Sequence, residues 1–236
     1  LLHFWLQPAI MKLSSVQKSD RVRKAADGCF APFYVLPTCG SRSEAMTMNC
    51  TSLLELLADG PVIAAVKDDA GLEAALESDV SVLFLLYGDI LTIGEKVARI
   101  HRADKKAFVH LDLIDGLSAR EISADFIARH TAADGVISTK VALTKRAREL
   151  GLVAIQRVFL LDSMALKNVE RHFSQESADL VEVLPGLMPK IIRQLCQTTG
   201  KPIIAGGLIS DKEDVTGALG AGAVAVSSTN PAVWAM

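Results

Sequence analysis

From position 53 onward the chain alternates short apolar runs with longer amphipathic stretches. The apolar runs fall at 62–67, 82–87, 107–113, 135–139, 152–158, 180–184, 202–206 and 223–227, and their starts lie on average 23 residues apart. Each is rich in Val, Ile, Leu or Ala, the composition of strands buried on both faces. Between them, 92–101, 120–130, 140–150, 163–173, 188–198 and 211–219 carry apolar residues at i, i+3 and i+4 and read as helices. Cap signals agree. Asp211 opens a helix with Asp214 in its first turn, and Gly151, Gly200 and the Gly220-Ala221-Gly222 stretch stand where helices close. Residues 53–58 suit a short helix closing the bottom of a barrel.

Strand and helix alternating eight times predict a parallel sheet. An open doubly wound sheet is expected to show GxGxxG after its first strand, and that motif is absent. The predicted fold is therefore α/β, a short version of the TIM-like (β/α)8 barrel, which typically takes ~250 residues. Short helices or one degenerate unit accommodate the smaller size.

Residues 1–50 have a different character. They mix Cys, Pro, Ser, Met and isolated aromatics without a sustained period. They read as an unassigned extension, disordered or non-native, ahead of a barrel ligand-sensing domain at 51–236. Of 236 residues, 50% are hydrophobic and 5% aromatic, so an aliphatic core is expected. The net charge of −2 argues against broad binding to phosphate backbones and leaves room for a local basic patch. Cys29, Cys39, Cys50 and Cys196 form no CxxC pair, so neither a zinc nor a redox motif is written. All four read as reduced thiols of a cytoplasmic protein. No apolar run reaches the ~18 residues of a membrane span, and the apolar opening at 1–13 lacks a basic leader.

In such barrels function sits where strands run into the following loops. The predicted strand ends collect Lys67, Asp112, Ser138, Arg157, Glu182, Gly186, Gly206, Gly207, Ser227 and Ser228. The last two strands often supply a phosphate site. There, Gly206 and Gly207 let backbone approach an anion, while Ser227, Ser228 and Thr229 lead into a short final helix whose N-terminus favours one. The plainer account is a tight turn and an N-cap. Arg157 suits a bidentate anion contact, or else an ion pair with Glu182 or Asp112 inside the mouth. Asp112 and Glu182 accept from the hydroxyls of a polyol, or act as general acid and base. His110, two residues before Asp112, shares its face by period 2, although a lone strand histidine more often belongs to the core. His101, His130 and His172 lie near helix C-termini and need no further role. Lys140, Lys145, Arg146 and Arg148 form a basic cluster whose plain reading is a solvated helix face.

The ordered set HLDLIDG at 110–116, VIST at 136–139, IQRVFLLDS at 155–163, EVLPG at 182–186 and AGGLI at 205–209 resembles the glycerol-3-phosphate-responsive antiterminator family of bacteria. Each motif alone is weak, but the order is specific, and the resemblance runs from about residue 60 to the end. It implies a non-catalytic regulator on a barrel scaffold. Such a protein senses glycerol 3-phosphate and acts on the leader mRNA of glycerol-utilisation genes to bring about transcription antitermination. The strand-end residues above become its expected ligand contacts, with no catalytic residue, cofactor or metal. The RNA partner comes from the resemblance alone, because the chain has no RNP-like aromatic motif, KH loop or arginine-rich tract. A homo-oligomer is left open. The competing readings are a barrel isomerase, aldolase or phosphodiesterase acting on a small phosphate ester, with Asp112, Glu182 and Lys67 as its chemistry, and a plain metabolite-binding protein.

Overall fold

The computed structural model describes residues 48–172 and 177–236. Nearly all of the 1–50 extension, Cys29, Cys39, the side chain of His172 and the predicted helix end at 173 lie outside the described residues. The strands are β1 Val62–Val66, β2 Val82–Leu85, β3 Lys106–His110, β4 Gly135–Ser138, β5 Val153–Phe159, β6 Leu180–Leu184, β7 Ile203–Gly206 and β8 Ala225–Ser228. The helices are α1 Cys50–Asp59, α2 Asp69–Glu77, α3 Ile93–Arg102, α4 Ile122–His130, α5 Val141–Glu149, α6 Ser163–His172, α7 Pro189–Thr198, α8 Lys212–Gly220 and α9 Pro231–Trp234. Every strand pairs in parallel with its sequence neighbours, and β8 returns to β1 to close the barrel.

Several bounds shift by one or two residues, and two larger departures from the sequence pattern have a local cause. Helix α2, DAGLEAALE, is too rich in Ala and Gly to show an apolar stripe, since it buries only Leu72 and Ala75; its start is fixed by Asp68, whose carboxylate accepts from the Gly71 N–H at 2.7 Å. The third strand stops at His110 rather than 113, because Leu111–Leu113 winds into a single 3-10 turn.

Alternation along each strand sorts the core into two shells. Outward residues such as Leu83, Leu85, Val109 and Val136 meet Leu72, Val97, Ile127 and Leu143 of the surrounding helices. Inward residues Ile63, Val82, Val153, Leu180 and Ala225 share one cluster with Leu53 and Leu57 of α1. That helix thus closes the lower end, as the sequence suggests, and it begins at Asn49, whose side chain accepts from the Ser52 N–H at 2.9 Å. Above this floor Phe84 and Phe108 meet with ring centroids 5.8 Å apart. Gly135 makes the room: a Cβ there would lie 2.4 Å from the Phe108 ring and 2.3 Å from the Val153 carbonyl. The lower part of the lumen is therefore aliphatic and aromatic.

Candidate functional site

Two residues further along the same inward series, the chemistry changes. From Phe108, Ile155, Leu180, Ile204 and Ala225 the next lumen positions are His110, Arg157, Glu182, Gly206 and Ser227. Arg157 and Glu182 stand opposite each other in the β5–β6 register. Glu182 has no exposed surface; one carboxylate oxygen accepts from Arg157 Nε at 2.6 Å and the other from Ser227 Oγ at 2.6 Å. Arg157 is buried with it. Of the two roles open to Arg157 in the sequence, the structure thus shows the ion pair with Glu182. Gly206 is the reason the group fits, since a Cβ there would sit 2.7 Å from both the Glu182 oxygen and Ser227 Oγ.

His110 faces this group. The residue is 2% exposed, and Nδ1 is the only buried side-chain nitrogen or oxygen without a hydrogen-bond partner among the described residues. Burial, reinforced by the Arg157 charge, pushes the imidazole down to about 4 against the opposing pulls of Asp112 and of a weak contact with the residue's own backbone. The ring is therefore neutral at physiological pH, with one nitrogen a donor and the other an acceptor.

Asp112 lies outside the lumen series, because the chain leaves the strand at His110 and the period-2 argument lapses there. Its carboxylate accepts from Ser138 Oγ at 2.9 Å, the Thr139 N–H at 2.7 Å and Thr139 Oγ1 at 2.7 Å. Partial burial works to raise its pKa, but the hydrogen bonds from Thr139 and Ser138 outweigh it and hold the carboxyl below its usual value. This contact bolts the end of β3 to the end of β4. Ser138 is buried and also accepts from the Lys140 N–H at 3.0 Å.

A third group clamps the loops after β6, β7 and β8. Gly186 N–H donates to the Gly207 carbonyl at 3.1 Å, following a cis Leu184–Pro185 peptide. Gly207 takes a φ of +72°, which favours glycine. Ser228 Oγ donates to the Ile209 carbonyl at 2.7 Å and accepts from the Asn230 N–H at 3.1 Å. Its hydroxyl is thus engaged in the loop, one residue out of phase with inward Ser227. Helix α8, which follows β7, is capped by Asp211 and carries Glu213 and Asp214 in its first turn, so its N-terminal partial charge already has anionic partners. Lys67 is exposed just past β1, on the side of the barrel that pairs with β8.

The ten expected residues therefore fall into three bonded sets plus Lys67. Arg157, Glu182, Gly206 and Ser227 share the lumen, Asp112 and Ser138 form the bolt, and Gly186, Gly207 and Ser228 belong to the loop clamp. His110 and Thr139 join the site although neither stood among those ten. Period 2 from Phe108 would have pointed to His110, whereas Thr139 offered no signal of its own. A cleft of about 360 Å³ opens beside Arg157, lined by Thr139, Gln156, Phe159, Ala165 and Ser177 among others. A second, of about 460 Å³, lies at the opposite end between α1 and α5, around the Arg148–Asp179 ion pair. No group of three or more residues suited to hold a metal ion occurs among the described residues, and no helix there is long and apolar enough to cross a membrane.

Fold and site define a closed parallel (β/α)8 barrel with a buried polar network at the C-terminal end of its lumen. Residues 62–234 match the family described as glycerol-3-phosphate responsive antiterminator, and the chain belongs to that family. It is 44% identical over 184 residues to the uncharacterized protein YgcP of Escherichia coli (strain K12), covering 78% of this chain and 96% of that protein. Among solved structures it is similar to the glycerol uptake operon antiterminator regulatory protein of Listeria monocytogenes str. 4b F2365, with 30% identity, a TM-score of 0.72, and 75% and 95% of the two chains covered. A glycerol uptake operon antiterminator-related protein from Thermotoga maritima MSB8 gives 30% identity, a TM-score of 0.65, and 74% and 98% coverage.

Proposed function

We propose that this protein is a cytoplasmic regulator of transcription antitermination, which binds glycerol 3-phosphate at the barrel mouth and acts on the leader mRNA of glycerol-utilisation genes. The observation that carries the reading is the Arg157–Glu182–Ser227 network with His110 beside it, buried at the functional end of a barrel. Family membership and the similarity to the Listeria regulator support this choice of ligand and process. A regulatory role accords with the family description, and both oxygens of Glu182 accept hydrogen bonds within the protein, which holds its carboxylate in place at the mouth. Lys67, Asp112, Ser138, Arg157, Glu182, Gly186, Gly206, Gly207, Ser227 and Ser228 remain the expected lining of the ligand site.

The RNA surface has weaker support. Of the basic cluster, Arg146 is held by Asp125 and Glu149, and Arg148 by Asp179, leaving exposed Lys140 and Lys145 as its outward charge. Ligand response requires that glycerol 3-phosphate bind two states of the protein with different affinity. Loops around the mouth, or an oligomer built on them, are the elements placed to change.

Calorimetric titration with glycerol 3-phosphate, glycerol and inorganic phosphate tests the reading. Saturable binding of the ester alone, weakened by Arg157→Ala, is expected. Absence of binding by all three removes the proposed ligand.

A further inference from the structure

The lumen end of the site is balanced in charge. Arg157 and Glu182 neutralise each other, Ser227 is neutral and so is the His110 ring. Burying a phosphate dianion beside the fully buried Glu182 carboxylate needs further positive charge, and the Arg157 cation already serves that carboxylate. A hydroxyl group asks only for hydrogen bonds. One such bond is open: Nδ1 of His110 is buried without a well-formed partner, at the end of β3 and on the lumen side with the network. A buried polar atom without a partner is costly, and a ligand that supplies the partner recovers that cost on binding. The exposed cation Lys67 lies further out, beyond the end of β1.

We infer that the ligand enters with its hydroxyl-bearing end in the lumen and its phosphate outward, and that His110 reads one hydroxyl through Nδ1. This rests on the reading of the mouth as a glycerol 3-phosphate site, and deepens it by assigning the orientation and a specificity-determining residue. A site built to hydrogen-bond a hydroxyl discriminates strongly against analogues that lack it.

The test is a set of calorimetric titrations on the full chain. Wild type, His110→Phe and His110→Asn are each titrated with glycerol 3-phosphate, 3-hydroxypropyl phosphate (no hydroxyl at the central carbon) and 2-hydroxypropyl phosphate (no hydroxyl at the terminal carbon). Thermal melts of the ligand-free variants establish that they are folded. For glycerol 3-phosphate, His110→Phe is expected to weaken binding about tenfold or more, the size of one hydrogen bond left unmade. His110→Asn, whose amide can reach the place of Nδ1, should recover part of the loss. For one of the two deoxy analogues the Phe penalty should shrink to less than about threefold, and that analogue names the hydroxyl. An equal penalty with all three ligands means that His110 meets the phosphate or acts only through packing, and overturns the orientation. Wild-type binding with no loss in His110→Phe overturns the role of His110 while the ligand reading stands. Failure of wild type to bind glycerol 3-phosphate overturns both.

Discussion

At the lower end of the lumen Leu53, Leu57, Phe84 and Phe108 fill the space between strands. At the upper end, one inward position further on, the strands carry His110, Arg157, Glu182 and Ser227. Strand geometry is the same at both ends, and so is the depth of burial. What differs is how uniqueness is enforced. The lower end relies on shape, with Gly135 admitting the Phe108 ring. The upper end relies on directed hydrogen bonds, with Gly206 admitting the Glu182–Ser227 contact. An apolar layer tolerates small errors of fit, whereas a buried ion pair fails sharply when one partner is lost. The exterior of the upper end differs again: Leu91, Leu161, Met164 and Leu208 are each more than two-thirds exposed, on loops and a helix start around the mouth. Packing has little claim on those positions.

The two ends should part most sharply at Glu182. Glu182→Ala leaves Arg157 buried and uncompensated and should cost about 3–5 kcal/mol in urea unfolding. Converting the upper end to the chemistry of the lower one, with Arg157→Met and Glu182→Leu together, should restore stability to near wild type while abolishing the glycerol 3-phosphate binding proposed above. A double variant as unstable as Glu182→Ala would show that the network holds the barrel together rather than serving the site.

A pH series sharpens the contrast at His110. The unfolded chain takes up a proton on this residue near 6.5, whereas the folded chain resists until about 4. Stability present above pH 6.5 is therefore lost as pH falls toward 4, by up to something on the order of 3 kcal/mol. The lowered carboxyl of Asp112 adds acid sensitivity of the same sign at lower pH. His110→Phe should flatten the loss between pH 6.5 and 4.5 in chemical unfolding curves. An unchanged slope would place the acid-sensitive group elsewhere. The smallest effect belongs to the rim, where Leu161→Ser, at a side chain 85% exposed, should shift stability by less than about 0.5 kcal/mol.

The strands were legible because runs of Val, Ile, Leu and Ala are what a sheet covered on both faces requires. Helix α2 was not, because Ala-rich and Gly-containing DAGLEAALE leaves no stripe for periodicity to find. In the site, parity along a strand carries more than the identity of the residues. It separates inward Ser227 from loop-bonded Ser228, and it selects His110 once Phe108 is known to face the lumen. Parity ends where the strand ends, which is why Asp112 does not share the lumen with His110. The pairing of Arg157 with Glu182 depends on register between strands 25 residues apart in sequence, a quantity that no local pattern encodes.

Closure of the lower end by α1 has a kinetic consequence. With the lower end closed, a small molecule bound at the polar layer would have to arrive and leave past the loops at the upper end. Any change in those loops that does not touch the bound molecule speeds or slows arrival and departure by the same factor. Residence time in the lumen would then be tuned through the loops while the equilibrium constant stays fixed by the polar layer, two quantities set by different parts of the barrel.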